Sequence, residues 1–270
     1  MAEPAGSTLA AYRSLVASRA RSQTAYRTSF VVDVFGSVTI SLVEFAEIYV
    51  VFSNIDLLGG LDLTGAILVF ALSNVAFSLA DLAVGQLDSI PTLIRTGTLD
   101  AVLLRPLPVL LQLSANDLSI RRLGRTAVGL LLLGIALTRA QLDWTAGTVV
   151  LLLMTPVAGA AIFAALFVAA GAAQFWLIDG AELTNAFTYG SSFASSYPGS
   201  VYSTPVRLFF TFVIPATFTA YLPTLALLDR DAPGLPGWLG WCTPLVAVLI
   251  WAVTLAAWRT GLRRYTGAGG

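Results

Sequence analysis

Apolar runs long enough to cross a lipid bilayer recur six times along this 270-residue chain, and no other feature constrains its fold as strongly. A spanning helix needs roughly 20 residues. The runs cover about 29–52, 63–90, 126–137, 145–178, 205–228 and 238–258. The third is short unless its helix begins near Leu118, as we expect, which puts arginines in its first turns. Only 11% of the residues are charged, against 57% hydrophobic. A soluble domain carries about 25% charged residues, so most of this chain has no water to face. The expected fold is an all-α membrane protein with six transmembrane helices over 29–258. An N-terminal segment, 1–28, precedes the spans and a tail, 259–270, follows them.

The arginines orient the spans. With the N-terminus inside, Arg13, Arg19, Arg21 and Arg27 precede the first span. Arg95, Arg105, Arg121, Arg122 and Arg125 lie in the stretch after the second span. Arg207 precedes the fifth, and Arg259, Arg263 and Arg264 end the chain. Only Arg139 and Arg230 then lie outside, which satisfies the positive-inside rule. Both termini are therefore expected inside. Trp144 and Trp238 at outer ends, and Trp176 and Trp258 at inner ends, suit an aromatic belt. The first 28 residues lack the apolar segment of a signal peptide. Leu9, Tyr12, Leu15 and Val16 recur at helical spacing against the arginines, which suggests an interfacial amphipathic helix. A solvated tail is the alternative.

Composition also excludes chemistry. All basic residues are arginine; there is no lysine and no histidine, and Cys242 is the single cysteine. A P-loop needs its lysine to reach the terminal phosphates, so the chain is not a Walker-type ATPase. Zinc sites and Ser-His or Cys-His nucleophiles are excluded by the same absences. No intrachain disulfide is possible. Zero net charge suggests no nucleic-acid partner. No catalytic, metal or cofactor site is expected.

Five acids lie in the first two runs. On a helix, Asp33 and Glu44 are about 20° apart and Glu47 about 60° from Glu44. Asp81 and Asp88 are again about 20° apart. A charge at mid-membrane costs roughly 2.5–3.5 kcal/mol on insertion scales, so such acids face a partner, a cavity or an interface. Asp33 and Asp88 fit the membrane boundary. Glu44, Glu47 and Asp81 are candidates for a translocation surface or a subunit contact, with simple protonation against neighbouring hydroxyls as the other reading.

Two segments between spans stand out. Residues 179–202 are too polar to face lipid, and we expect a short interfacial or protein-buried helix. The alternative is a crossing inside the bundle, with Pro215 marking a re-entrant turn. In the inner loop, Leu99, Val102, Leu103 and Pro106 follow helical spacing, and Arg105-Pro106 should stop that helix. Such a helix either docks another protein or rests on lipid headgroups.

The stretch Leu93-Ile-Arg-Thr-Gly-Thr-Leu-Asp-Ala-Val-Leu-Leu-Arg-Pro-Leu107 resembles the inner loop of bacterial type-two ABC transporter permeases. So do Arg21-Ser-Gln-Thr-Ala-Tyr-Arg27, Ala186-Phe-Thr-Tyr-Gly190, Tyr197-Pro198, Phe212-Val-Ile-Pro-Ala216, Tyr221-Leu-Pro223 and Trp258-Arg-Thr-Gly-Leu-Arg-Arg-Tyr265. The closest branch is usually encoded as two different permeases with an ATPase. At the tail, Tyr265-Thr-Gly departs from the family's Tyr-x-Ser-x-Gly pattern. The resemblance implies a multi-pass permease of the bacterial inner membrane, paired with a second permease subunit, same or different. It also implies cytosolic ATPase subunits that bind the ATP. Gly97, Leu99, Asp100, Leu103, Arg105 and Pro106 would form the coupling helix that meets the ATPase. Export of a hydrophobic or amphipathic substrate is the expected function. An ion-coupled secondary transporter using Glu44, Glu47 and Asp81 is the alternative, although no inverted repeat is visible. A membrane enzyme is less favoured, for lack of a metal motif.

Overall fold

The computed structural model describes residues 27–58, 60–115, 123–177, 180–231 and 234–267. The expected N-terminal interfacial helix and the start of a helix near Leu118 lie outside these residues. Among the described residues the chain is helical, with one isolated bridge between Leu58 and Leu61 and no strand.

Helix α1 runs Arg27–Phe52 and α2 runs Leu63–Val84. A 3₁₀ stretch, Gly85–Ser89, leads into three short helices: α3 (Ile90–Arg95), α4 (Thr98–Leu103) and α5 (Val109–Ala115). Then come α6 (Leu123–Arg139), α7 (Ala146–Ala173), α8 (Ala181–Ser195), α9 (Thr204–Leu208), α10 (Tyr221–Leu227) and α11 (Thr243–Arg264). Local chemistry sets several of these starts. Asp62 caps α2 by accepting from the Gly65 amide, and Thr145 caps α7 by accepting from the Thr148 amide. Proline occupies the first turn of α3, α9 and α11, where its missing N–H costs nothing.

Among the described residues, four helical stretches are long and apolar enough to cross a membrane: Val31–Phe52, Leu63–Arg95, Ala146–Ala173 and Gly237–Arg264. A bent pair makes a fifth if it counts as one span. The remaining expected span, α6, has 17 described residues, about 26 Å at helical rise.

Helix α2 is the centre of the bundle, with α6 and α7 packed along it. Gly159 of α7 makes this possible. A Cβ there would stand 2.9 Å from the Ala76 Cβ of α2 and 2.9 Å from the Thr219 carbonyl oxygen. Small residues let membrane helices approach closely. Helix α11 also packs along α7, and Trp251 donates to the Ala161 carbonyl at 2.9 Å. Helix α1 sits on the outside, with Val31, Val32, Phe35, Val43 and Val50 exposed.

The fifth expected span is broken. Thr204–Val213 and Ala216–Leu227 meet at 77°. The last turn of the first arm widens, so that the Ile214 amide donates to the Phe209 carbonyl five residues back. Ile214 is extended (φ −113°, ψ 98°), as a residue before proline must be. Pro223, by contrast, lies in the first turn of α10 and breaks nothing. The apex reaches deep: Ile214 and Ala216 pack with Ala76, Phe77, Phe163 and Phe167.

Helix α8 is protein-buried along its hydroxyl face, with Thr184, Thr188, Ser191, Ser192 and Ser195 buried. The Ser195 and Ser73 hydroxyls meet at 2.6 Å. Most of these hydroxyls also bond backbone carbonyls one turn back, so the polar sequence of α8 is satisfied without water.

Three expectations change. The seven-residue relation of Asp81 and Asp88 does not hold, because the α-helix ends at Val84 and Asp88 lies in the 3₁₀ stretch. Trp258 is buried in the core beside Leu99 and Phe175 rather than at an interface. Arg207 is buried in α9, close enough to Tyr221 to act on it electrostatically, and carries no weight in the count of loop arginines.

Candidate functional site

The structure brings two of the three intramembrane candidates to one cavity. It measures about 410 Å³ and lies between α1, α2, α6 and α8. Glu44, Glu47 and Ile48 line it from α1, Phe70 from α2 and Arg125 from α6. Tyr189, Gly190, Ser192, Phe193 and Ser196 line it from the α8 side, followed by Tyr197. Asp81 is buried in α2 and is not part of this lining.

Helical spacing explains the arrangement. Glu44, Glu47 and Ile48 fall on one face of α1, three and four residues apart. Tyr189, Ser192, Phe193 and Ser196 repeat the same spacing along α8 and its end. The two acids have different partners. Arg125 donates to Glu44 at 3.0 Å, an ion pair whose side chains are 19% and 31% exposed. The same guanidinium lies 4.8 Å over the Phe77 ring, in cation–π contact. Glu47 accepts a hydrogen bond from the Tyr197 hydroxyl at 3.2 Å.

A chain of contacts runs from this cavity toward the short helices. Phe77 packs on Tyr189, with centroids 5.6 Å apart. The Tyr189 hydroxyl donates to Asp88 at 3.0 Å. Asp88 lies just before α3, which leads into α4. Sequence reasoning missed Arg125 and Tyr189 as site residues. Arg125 read as one more loop arginine, and Tyr189 as part of a polar stretch. Only the spacing along α8 could have pointed to Tyr189.

The second candidate element is the segment around α4. Gly97 precedes it with φ 69°, a left-handed turn that a side chain would strain. The turn folds α4 back beneath α3, and the Thr96 and Thr98 hydroxyls meet there at 2.8 Å. Leu99 points inward and is fully buried with Leu87, Ile90, Leu113 and Trp258. The helix ends at Leu103, two residues before the Arg105-Pro106 pair expected to stop it. Gln112, another residue not foreseen, braces this end. Its side-chain amide donates to the Val102 carbonyl at 3.1 Å and the Leu107 carbonyl at 2.7 Å.

The outward side of this segment is uncovered. Leu104 is 87% exposed and Leu103 39%, and Arg105 and Pro106 are exposed beside them. At the other edge, Asp100 faces the end of the chain. Its carboxylate lies beside Tyr265, and a Cβ on Gly267 would be 3.7 Å from it. Burial pushes the Tyr265 hydroxyl above its usual pKa, and the neighbouring Asp100 carboxylate adds to the rise.

Among the described residues, no group of three or more histidine, cysteine or acidic side chains is placed to hold a metal ion. A family model described as "ABC-2 family transporter protein" matches residues 38–269. No curated protein and no solved structure matches the chain.

Proposed function

The chain belongs to the ABC-2 family of transporter proteins, and from that premise we propose that it is the permease of an ATP-driven exporter of a hydrophobic or amphipathic substrate. The family makes it a membrane subunit of an ABC system, working with ABC ATPase partners. In the proposed assembly two permeases, identical or different, sit in the bacterial inner membrane with both termini inside. Each docks on a cytosolic ATP-binding subunit that carries the nucleotide site.

The observation that carries this reading is the two-sided packing of the α4 segment. Leu99 is locked into the bundle while Leu104 and Arg105 point away from it. A short helix anchored on one side, with an apolar and cationic face on the other, suits a partner protein. Movement imposed on that face reaches the bundle through Leu99, Trp258 and Tyr265 on one side and Asp88 and Tyr189 on the other. The cavity between α1 and α8 is the proposed substrate path. The ion-coupled alternative is not favoured, because Glu44 is already paired with Arg125 and the family is that of ABC systems.

The test is co-purification of the chain with a cytosolic ABC ATPase subunit from its native membranes. Replacing Asp100 or Arg105 should lower coupled ATPase activity, and scrambling 97–106 should abolish coupling. Full coupled activity after scrambling would refute the docking role. Transport driven by an ion gradient without any ATPase would refute the exporter reading.

A further inference from the structure

We infer that the cavity between α1 and α8 receives an amphipath bearing a positive charge, with Glu47 as the residue that meets it. The inference rests on the reading of this cavity as the substrate path and names the substrate class.

Among the described residues, the cavity lining carries two carboxylates, Glu44 and Glu47, against one guanidinium, Arg125. Arg125 is committed to Glu44 at 3.0 Å, its Nε is buried, and its guanidinium lies over the Phe77 ring. Among the described residues, the hydrogen-bond partner of Glu47 is the Tyr197 hydroxyl, which is neutral. Among the described residues no cation lies within ion-pairing distance of Glu47. Glu47 is exposed rather than buried, so its carboxylate is open to an incoming ligand. A cation brought by the ligand pairs with it, whereas an anion would meet a like charge.

The rest of the lining fits the rest of such a molecule. Ile48, Phe70 and Phe193 offer apolar surface, and the Tyr189 and Tyr197 rings can face a cation. A volume of about 410 Å³ lies within the range of small-molecule sites. Gly190 opens directly into this space: a Cβ there would meet nothing within 4 Å.

The decisive experiment uses the full-length permease in lipid nanodiscs and a pair of ions with the same shape and opposite charge. Tetraphenylphosphonium should bind saturably, and tetraphenylborate should bind no more than it does to empty nanodiscs. Glu47→Gln should weaken phosphonium binding at least tenfold, while Glu47→Asp retains most of it. Gly190→Leu adds a side chain where a Cβ meets nothing within 4 Å and should also reduce binding, with an unchanged gel-filtration profile. Equal binding of both ions, or full binding by Glu47→Gln, overturns the inference. If Glu47→Gln does not fold, Gly190→Leu decides: undiminished phosphonium binding to that variant places the site elsewhere. Competition from phosphatidylethanolamine in the nanodisc would assign the ammonium to a lipid; without competition it belongs to a soluble amphipath. ATPase coupling is read separately, so cation binding without coupling refutes the exporter reading, and coupling without cation binding refutes this inference.

Discussion

Arg125 of α6 donates to Glu44 of α1 across 3.0 Å, an ion pair that joins the two helices. Breaking one side leaves a charge without its partner in a poorly hydrated place. Glu44→Gln or Arg125→Gln should each destabilise the protein by about 2 kcal/mol. The double variant should cost less than the two singles added. Thermal unfolding in detergent reads all three, and simple additivity would contradict the pairing.

Leu99 and Leu104 should separate anchoring from docking. Leu99 is fully buried, so Leu99→Ala should cost roughly 2–5 kcal/mol of packing and loosen α4. Leu104→Ser, at an 87% exposed position, should leave the unfolding temperature within error. The same change should weaken retention of the ATPase subunit in a pull-down. Equal loss of stability from both would mean that α4 is not two-sided.

Gly159 should tolerate nothing larger. Its Cβ position lies 2.9 Å from both Ala76 and the Thr219 carbonyl, neither of which can swing away as a long side chain would. Gly159→Val should therefore lower the unfolding temperature by several degrees and push the bent segment from its seat. Gly134, whose Cβ would meet nothing within 4 Å, is the control, and Gly134→Ala should be neutral or slightly stabilising.

The contact of the tail with α4 should weaken in alkali. Tyr265 has its pKa raised above the ordinary 10.0, first by burial and then by Asp100. The folded state therefore holds the phenolic proton more tightly than the unfolded state does. Its contribution is complete below pH 10 and fades as the pH climbs through the raised value. Protein with Cys242→Ser and Ala268→Cys, spin-labelled at the introduced thiol, should show increased probe mobility above pH 10, and Tyr265→Phe should remove that pH dependence. Loss of mobility restraint near neutral pH would contradict the assignment.

Much of the helical plan was legible because burial in lipid demands long apolar runs, as at 63–90 and 145–178. The break before Pro215 was legible for a backbone reason, since any residue before proline leaves the α region. The harmless Pro223 was not, because its effect depends on where the next helix begins. In the cavity, Glu44 and Glu47 stood out by their cost in a membrane. Their unequal partnering did not, because Arg125 and Tyr197 are far from them in sequence and reach them only through the packing of α6 and α8. Trp258 misled for a related reason: the residue type suits an interface, but the turn at Gly97 folds Leu99 over it.

The bent segment also has a consequence for how the protein is made. The carbonyl of Phe218, near its apex, accepts from the Thr243 hydroxyl at 3.1 Å, and Thr243 opens the last helix. Gly240, just before that helix, packs directly under the Leu222 and Pro223 backbone. A nascent chain that has reached only α10 lacks these partners. The segment must wait, with polar backbone not yet in its final company, until the ribosome has delivered the final helix. The last step of biogenesis is thus a closing of the bundle from its C-terminal side. Chains stalled or truncated before Thr243 should be the ones that membrane quality-control proteases degrade.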